Sequence, residues 1–214
     1  MQCKICHKDT ETFYDDYMQC ETYHCGSCEF IFKDEQAIIS LEKELKVYEQ
    51  HNNSEENLGY VAMFQDFMDK TFAPYTKNIQ TVLDFGSGPN PILANMLKKS
   101  EFDVEHYDKF FAPKKVYENK KYDLITSTEV IEHISDIHEV MKLFSEHLNP
   151  QGYLAIMTQF HSNEKEDYLK WWYRRDPTHI SFFRPKTFEV LANFYDLVLL
   201  YSNDKKLILL QKQN

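Results

Sequence analysis

The chain has 214 residues, of which 43% are hydrophobic and 15% aromatic, enough for one domain of ordinary size and a small appendage. Its formal net charge of -10 argues against a large nucleic-acid interface, because phosphate binding needs clustered Lys and Arg. No stretch approaches the roughly 18 apolar residues of a membrane span. The start, Met1-Gln2-Cys3-Lys4, lacks the apolar region of a secretion signal. These features predict a soluble cytoplasmic protein.

Two cysteine pairs near the N-terminus predict a metal site. Cys3-Lys4-Ile5-Cys6 and Cys25-Gly26-Ser27-Cys28 are separated by 18 residues, and two such knuckles place four thiolates around a tetrahedral zinc ion. Unmetallated thiols and a redox pair are the alternatives, but the spacing favours zinc. Four thiolates leave no open coordination position, so the site would be structural. Cys20, the fifth cysteine, is expected to lie outside it.

The first two segments of the chain are predicted to be a zinc ribbon and a helical linker. Residues 1–34 carry three Lys and seven Asp or Glu. Their net charge is therefore negative, whereas a ribbon that binds RNA needs a positive one. Such a ribbon would instead support the fold, cover the active site or help to select the substrate. Residues 35–76 show apolar side chains at helical spacing in two stretches, separated by a polar segment and ended by Pro74.

From residue 77 to residue 214, short apolar runs alternate with helical patterns, which indicates a parallel α/β sheet. The predicted elements are strand 81–85, helix 91–99, strand 104–107, a reduced strand near 115–117, strand 122–127, helix 135–148, strand 153–158, an irregular segment 159–183, helix 185–194, and strands 197–201 and 207–211. The last two strands must be antiparallel, because so short a loop cannot make a parallel crossover.

A glycine bend follows the first strand of this region. Asp84 and Phe85 lead into Gly86-Ser87-Gly88, where missing side chains let the backbone approach a ligand. Asp108, about 20 residues further on, ends the next strand at the position from which a carboxylate binds ribose hydroxyls. A nicotinamide cofactor would fit this pattern too. However, the phosphate-binding loop of proteins that bind it has a third glycine at the position where this chain has Pro91.

Four motifs occur in the order seen in class I S-adenosylmethionine-dependent methyltransferases. They are V-L-D-F-G-S-G-P (82–89), Y-D (107–108), Y-D-L-I-T-S-T-E-V-I-E-H-I (122–134) and L-N-P-Q-G-Y-L-A-I-M-T (148–158). The chain resembles the small-molecule branch of this family, and its E-V-I-E-H element is similar to that of ubiquinone-biosynthesis methylases. The resemblance implies an α/β, Rossmann-like methyltransferase sheet with a terminal antiparallel hairpin, preceded by the ribbon and a helical segment. It also implies methyl transfer from S-adenosylmethionine to a small-molecule acceptor.

The flanking sequences Y-E-Q-H-N-N (48–53) and D-P-T-H-I-S-F-F (176–183) resemble a bacterial subgroup with an N-terminal zinc ribbon. The cofactor-binding residues that the resemblance implies are Asp84, Gly86, Gly88, Asp108, Thr128, Glu129, Tyr48 and His51. The first three would surround the methionine part and Asp108 the ribose. The next two would face the sulfonium, and the last two would close the pocket as a lid. Asn90 departs from the pattern, which often has glycine there, and no acidic residue for the adenine amine can be assigned.

Methyl transfer to a hydroxyl or amine needs a base, and histidine suits that role near neutral pH. The candidates are His133 in E-V-I-E-H, His161 just beyond a strand, and His179 in D-P-T-H. Because ligands bind at the carboxyl ends of strands, His161 and His179 are favoured, and the hypothesis is that His179 is the base. Each histidine could instead make one hydrogen bond that orders a loop. Aromatic residues around His179, among them Trp172, could wall an acceptor pocket.

Three other functions remain open at this point. A nicotinamide-dependent oxidoreductase would share the glycine bend. A non-catalytic binding or scaffold protein is suggested by Asn90 and by the reduced third strand, because only 14 residues separate Asp108 from Asp123. An rRNA methyltransferase could carry a zinc ribbon, but the acidic charge argues against it. The pattern of residues does not specify the acceptor, the oligomeric state or the pathway.

Overall fold

The computed structural model describes residues 1–49 and 57–214. The strands are β1 (Glu11–Asp15), β2 (Cys20–Cys25), β3 (Phe30–Lys33), β4 (Thr81–Phe85), β5 (Asp103–Tyr107), β6 (Tyr122–Thr128), β7 (Leu148–Met157), β8 (Ser181–Phe182), β9 (Leu197–Ser202) and β10 (Leu207–Lys212). The α-helices are α1 (Leu41–Tyr48), α2 (Leu58–Lys70), α3 (Ile92–Lys99), α4 (Ile137–His147), α5 (Lys165–Lys170) and α6 (Pro185–Phe194). Each helix in these ranges is too short or too polar to cross a bilayer.

The larger sheet has six strands in the order β5-β4-β6-β7-β10-β9. Strands β5, β4, β6 and β7 are parallel, whereas β10 pairs antiparallel with both β7 and β9. This arrangement confirms the Rossmann-like sheet and the terminal antiparallel hairpin. The turn of the hairpin closes on Asn203, whose side-chain oxygen accepts from the backbone N–H groups of residues 205–207.

The prediction of a reduced strand near residues 115–117 is wrong. This segment forms turns, and β5 is the edge of the sheet. Asp108 and Ala112 first close a tight turn with reciprocal backbone hydrogen bonds of 3.1 Å. The backbone then forms local hydrogen bonds, such as that from the N–H of Glu118 to the carbonyl of Lys115. These groups are therefore used within the turn and do not pair with a neighbouring strand. Tyr117 packs into the core instead.

Buried side chains alternate between the two faces of the sheet, as the period of a strand requires. On one face, Leu83 and Ile125 pack with helices α4 and α6. On the other face, their neighbours Val82 and Leu124 pack with α2 and α3. The second helix of the predicted linker ends before Pro74, as expected. Helix α2 ends at Lys70, and Pro74 lies in the 3-10 turn Ala73–Asn78 that follows it.

The smaller sheet joins the N-terminal ribbon to the rest of the chain. Its order is β1-β2-β3-β8, all antiparallel, and β8 comes from the segment that was expected to be irregular. Phe30 and the cysteines of the two knuckles lie in the same hydrophobic cluster as Phe183 and Phe188 of the α/β region. The predicted segments 1–34 and 77–214 therefore share one core.

Candidate active site and metal centre

A cavity of about 480 Å³ lies at the carboxyl ends of β4, β5 and β6. The glycine bend and Asp108 line one side of it, and the residues after β6 together with the segment around residues 172–179 line the other. Helices α1 and α2 contribute Tyr48, Tyr60 and Phe64. The sheet thus brings together most of the side chains that the sequence marked as candidates. We call the first side the cofactor side and the second the acceptor side.

The glycine bend follows β4 in a left-handed conformation. Gly86 has a φ of 84° and Gly88 a φ of 67°, values that residues with a Cβ rarely adopt. The backbone N–H of Gly86 donates to the carbonyl of Tyr107 at 2.7 Å, which ties the bend to the end of β5. A Cβ on Gly86 would lie 2.2 Å from Cγ2 of Val130. The bend therefore requires glycine for both its φ and its packing.

Asp84 is buried at the base of the cavity, with 2% of its surface exposed. Its Oδ1 accepts from the Thr126 hydroxyl at 2.9 Å. Burial raises the pKa of Asp84 to about 6, because a carboxylate is poorly solvated there, although the hydrogen bond from Thr126 acts in the opposite direction. A cation that binds beside Asp84 would stabilise its ionised form.

Asp108 connects the glycine bend to the next segment. Its Oδ2 accepts from the N–H of Gly88 at 2.9 Å, and its Oδ1 accepts from the N–H groups of Phe110 and Phe111 at 2.8 and 3.0 Å. The carboxylate thus orders the turn and also lines the cavity. Since an ionised carboxylate has about four acceptor positions, it retains capacity for a ligand hydroxyl. The rings of Phe110 and Phe111 lie next to it on the cofactor side.

Two glutamates, the buried Glu132 and the partly buried Glu129, share one tyrosine on the acceptor side. The hydroxyl of Tyr173 contacts Glu129 Oε2 at 3.1 Å and also Glu132 Oε1. Burial raises the pKa of both carboxyl groups, with the Tyr173 hydrogen bond opposing the shift. Glu129 lines the cavity with a φ of 54°, in the left-handed region that residues with a Cβ seldom adopt. Thr128, the last residue of β6, lines the cavity beside it.

His133 and His179 meet at the acceptor side, with ring centroids 4.7 Å apart. Nδ1 of His179 lies 2.8 Å from the carbonyl oxygen of Tyr173, and Nδ1 of His133 lies 3.2 Å from that of Thr178. Because a carbonyl only accepts, Nδ1 carries the proton in each ring and Nε2 is the basic atom. Burial lowers the pKa of His133 to about 3.

Glu132, His133 and His179 could also hold a cation. One ligand atom from each lies within 4.8 Å of the others. Imidazole nitrogens with a carboxylate oxygen are ligands of several divalent metals, and backbone carbonyls at Nδ1 orient the rings as in known metal sites. The prediction from sequence that His133 and His179 are candidate bases does not by itself indicate this grouping.

The structure does not bring His161 to the cavity. Its Nε2 bonds the carbonyl oxygen of Glu29 at 2.9 Å and its Nδ1 accepts from the N–H of Asn163 at 3.0 Å. Both ring nitrogens are therefore used in linking the ribbon to the loop after β7. Burial lowers its pKa to about 3. Its position gives no support to a catalytic role. His51 lies outside the described residues.

Tyr48 lines the cavity from α1. Its ring packs edge-on against His133 with centroids 5.3 Å apart, and its hydroxyl donates to Glu44 at 2.7 Å. The sequence interpretation missed Tyr60 and Phe64, which line the cavity from α2. Their helical spacing indicates only a buried helix face, so no local signal distinguishes them from core residues.

The four knuckle cysteines come together in the ribbon. Cys3 Sγ lies 3.5 Å from Cys28 Sγ, and Cys6 Sγ lies 3.4 Å from Cys25 Sγ. All four sulfurs are within 4.8 Å of one another, which compares with about 3.8 Å between ligands of a tetrahedral ion whose Zn–S distance is about 2.3 Å. The donor set and its geometry fit zinc.

The two knuckles have the same backbone turn. The N–H of His7 bonds the carbonyl of Cys3 at 3.0 Å, and the N–H of Glu29 bonds that of Cys25 at 2.8 Å. His7 and Glu29 both have a φ of 58°. Cys20, buried at the start of β2, lies outside the group of four, as the sequence predicts.

Comparison with known proteins decides the family. Residues 59–202 match the profile of the methyltransferase domain family. The chain belongs to this family. No curated protein matches it. The matched region of this methyltransferase starts in α2 and therefore leaves out the ribbon and α1.

Solved methyltransferase structures share its fold. Mitomycin 7-O-methyltransferase MmcR is 10% identical with a TM-score of 0.54, and the match covers 78% of this chain and 60% of that one. The plantazolicin methyltransferase BpumL, solved with SAH, is 14% identical with a TM-score of 0.53, over 81% and 90%. The N-methyltransferase NodS from Bradyrhizobium japonicum WM9, solved with S-adenosyl-L-homocysteine, is 10% identical with a TM-score of 0.53, over 80% and 98%.

Proposed function

We propose that this methyltransferase transfers a methyl group from S-adenosylmethionine to a small-molecule acceptor. The observation that carries the proposal is the cavity itself, which has a glycine bend and two carboxylates on one side and proton-accepting side chains on the other. The solved complexes of BpumL and NodS with the demethylated cofactor support it. It is further proposed that the chain consists of a zinc ribbon (1–34), a helical linker or lid (35–76) and the methyltransferase region (77–214), and that it acts in the cytoplasm.

The residues of the cofactor side would each hold one part of S-adenosylmethionine. Asp84 would pair with its ammonium group, and the glycine bend would let the methionine part approach the backbone. Asp108 would accept from a ribose hydroxyl, and the ring of Phe110 would stack on the adenine. When bound, the cofactor supplies a methyl group activated by a positively charged sulfur. The protein then aligns the acceptor with that methyl group and excludes water, which can contribute about 7–11 kcal/mol.

The charges of the acceptor side favour a neutral or cationic acceptor. Among the lining residues that the structure describes, Lys109 is the one basic side chain other than histidine, and its Nζ pairs with Glu44 at 2.7 Å. Residues 50–56 contain no Lys or Arg. Glu129 and Asp176 add acidic groups, while Trp172 and Tyr173 add aromatic surface. Among the lining residues that the structure describes, a phosphorylated acceptor would meet no lysine or arginine except the paired Lys109, which is also an argument against RNA.

Proton removal from the acceptor is assigned to His179. We expect His179→Ala to lower the rate of methyl transfer about 10²–10⁴-fold while S-adenosylhomocysteine still binds, because general-base catalysis has about that magnitude. Rates should be measured with and without a chelator, since a cation held by Glu132, His133 and His179 would produce a similar loss. His147→Ala, at the end of α4 and outside the cavity, is the control. An unchanged rate in the His179 variant would reject the assignment.

Cofactor affinity should depend on pH through Asp84. Its pKa of about 6 means that about nine tenths of the carboxyl groups are ionised at pH 7 and about one tenth at pH 5. Only the ionised form attracts an ammonium group, so affinity should be present above pH 6 and decrease about tenfold between pH 7 and pH 5. Calorimetry with S-adenosylhomocysteine measures this. An Asp84→Asn variant should bind weakly with no such dependence, and equal affinity of the parent protein at both pH values would contradict the role.

The proposed function is tested most directly on the purified protein. Calorimetry should detect S-adenosylhomocysteine binding, and native mass spectrometry should show whether cofactor, zinc or acceptor is retained. Incubation of S-adenosylmethionine carrying a deuterated methyl group with extracts of small metabolites would then identify labelled acceptors. Absence of nucleoside binding would reject the enzymatic proposal in favour of a scaffold protein. Binding of a nicotinamide cofactor in its place, detected by fluorescence, would favour an oxidoreductase.

A further inference from the structure

Lys33 is a buried lysine that joins the ribbon to the acceptor side of the cavity. It ends β3 with only 2% of its surface exposed. Its Nζ donates to the carbonyl oxygens of Arg174 and Asp176 at 2.9 and 3.3 Å, and its backbone N–H donates to the carbonyl of Ile180 at 3.0 Å. One ribbon residue thus bonds three carbonyls of residues 173–180, which we call the wall segment.

A second ribbon strand holds the same segment. NH1 of Arg174 contacts both carboxylate oxygens of Asp15, the last residue of β1, at 2.9 and 2.7 Å. Both side chains are buried, since 4% of the Arg174 side chain and 0% of the Asp15 side chain are exposed. Nε of Arg174 also donates to the carbonyl of Tyr168 at 2.9 Å. The wall segment is therefore attached to the ribbon at two points that are shielded from water.

The other side of the wall segment faces the cavity and the residues after β6. Tyr173 contacts Glu129, and the N–H of Ile180 donates to the carbonyl of Glu132 at 2.9 Å. Tyr173 and His179 line the acceptor side. The wall segment thus contacts the ribbon on one side, and on the other it presents Tyr173 and His179 to the cavity.

From these contacts we infer that Lys33 is a positioning residue, which holds the wall segment in place so that Tyr173 and His179 face the acceptor. The inference rests on the proposed function for the meaning of the acceptor side. It gives the ribbon a role in catalysis without contact with the substrate. The ribbon lies outside the region that matches the methyltransferase domain family, so that match does not by itself assign it a role.

The energetics of Lys33 argue against a role in stability alone. Burial lowers its pKa to about 8, and the nearby negative charges, Asp15 and Asp176 among them, oppose that shift. Keeping an ammonium group in such a place at neutral pH requires that its lost hydration be replaced by other contacts. A methionine would fill a similar volume with no such requirement. The hydrogen bonds from Nζ to two carbonyl oxygens of the wall segment explain why a lysine occupies this buried position.

The test compares Lys33→Met with Lys8→Met, which changes an exposed lysine of the ribbon. Amide hydrogen exchange is followed by mass spectrometry in peptides covering residues 171–180, with peptides of β4 and β7 as internal references. We expect exchange in 171–180 to become at least tenfold faster in Lys33→Met only, with the reference peptides unchanged. The affinity for S-adenosylhomocysteine should stay within twofold. Lys33→Arg, which keeps a charged donor, should restore part of the protection.

Two results would overturn the inference: unchanged exchange in 171–180, or equal acceleration in the reference peptides, which would show a loss of overall stability instead. If Lys33→Met yields no folded protein, the same comparison is made with Lys33→Gln, and the same results decide. Absence of S-adenosylhomocysteine binding by the parent protein would reject the proposed function but leave the exchange comparison valid. The two failures are therefore distinguishable.

Discussion

Replacement of Cys25 by serine is expected to abolish zinc binding at the four knuckle cysteines and to lower the thermal midpoint of unfolding by about 8–16 °C. Structural zinc contributes about 10–16 kcal/mol in isolated zinc-finger peptides, comparable to the entire stability of an ordinary domain. Because the knuckle cysteines share a core with Phe183 and Phe188, loss of the metal should destabilise the α/β region too. A net loss of about 4 kcal/mol would lower the midpoint by about 8–16 °C in a chain of this size.

Zinc content by elemental mass spectrometry and the midpoint by calorimetry measure this effect. Cys20→Ser is the matched control, because Cys20 is a buried ribbon cysteine outside the group of four. It should retain one zinc per chain. An unchanged zinc content in Cys25→Ser, or absence of zinc from the parent protein purified without chelators, would refute the structural zinc site. In the second case, a reversible disulfide among the same cysteines would support the redox alternative.

Gly86→Ala should remove most of the methyltransferase activity and weaken the fold. The new Cβ would lie 2.2 Å from Cγ2 of Val130, at a φ of 84°. Left-handed backbone in a residue with a side chain costs about 1–3 kcal/mol, and the clash must displace either the bend or Val130. Because both line the cavity, and a shift of about 1 Å in positioning can lower a rate about 10²-fold, we expect a loss of at least that size.

The control for this substitution is Gly26→Ala. Gly26 also lies in a turn, but a Cβ there has no atom within 4 Å, so stability and S-adenosylhomocysteine affinity should stay close to those of the parent protein. Urea unfolding and calorimetry measure the two quantities for each variant. Parental affinity and stability in Gly86→Ala would show that the bend does not approach the cofactor, and would remove a main support of the proposed function.

The predictions that hold best depend on strong local signals. Strand 81–85 and helix 185–194 have the bounds predicted from apolar runs, glycine and proline. The terminal hairpin is confirmed because a short polar turn permits only one direction of pairing. The predicted strand near 115–117 fails because its apolar residues, such as Tyr117, fill the core from a turn. Burial alone does not distinguish a strand from a turn.

The candidate site was predictable where its residues follow strands. Asp84, Gly86, Gly88, Asp108, Thr128 and Glu129 line one cavity because the carboxyl ends of parallel strands meet at one edge. For His161 and His179, however, sequence alone offered similar arguments. A contact with the distant Glu29 places His161 at the ribbon, whereas His179 lines the cavity.

The amino-acid sequence by itself predicted the methyltransferase class, the terminal hairpin and the two cysteine knuckles, because each can be identified from short motifs along the chain. Only the tertiary structure decided that β3 pairs with β8, that Lys33 bonds the wall segment, and that α2 contributes rings to the cavity. These contacts join residues up to about 150 positions apart, as in the 141-residue separation of Lys33 and Arg174. Such pairings depend on packing and on the satisfaction of buried polar groups, which have no local sequence signature.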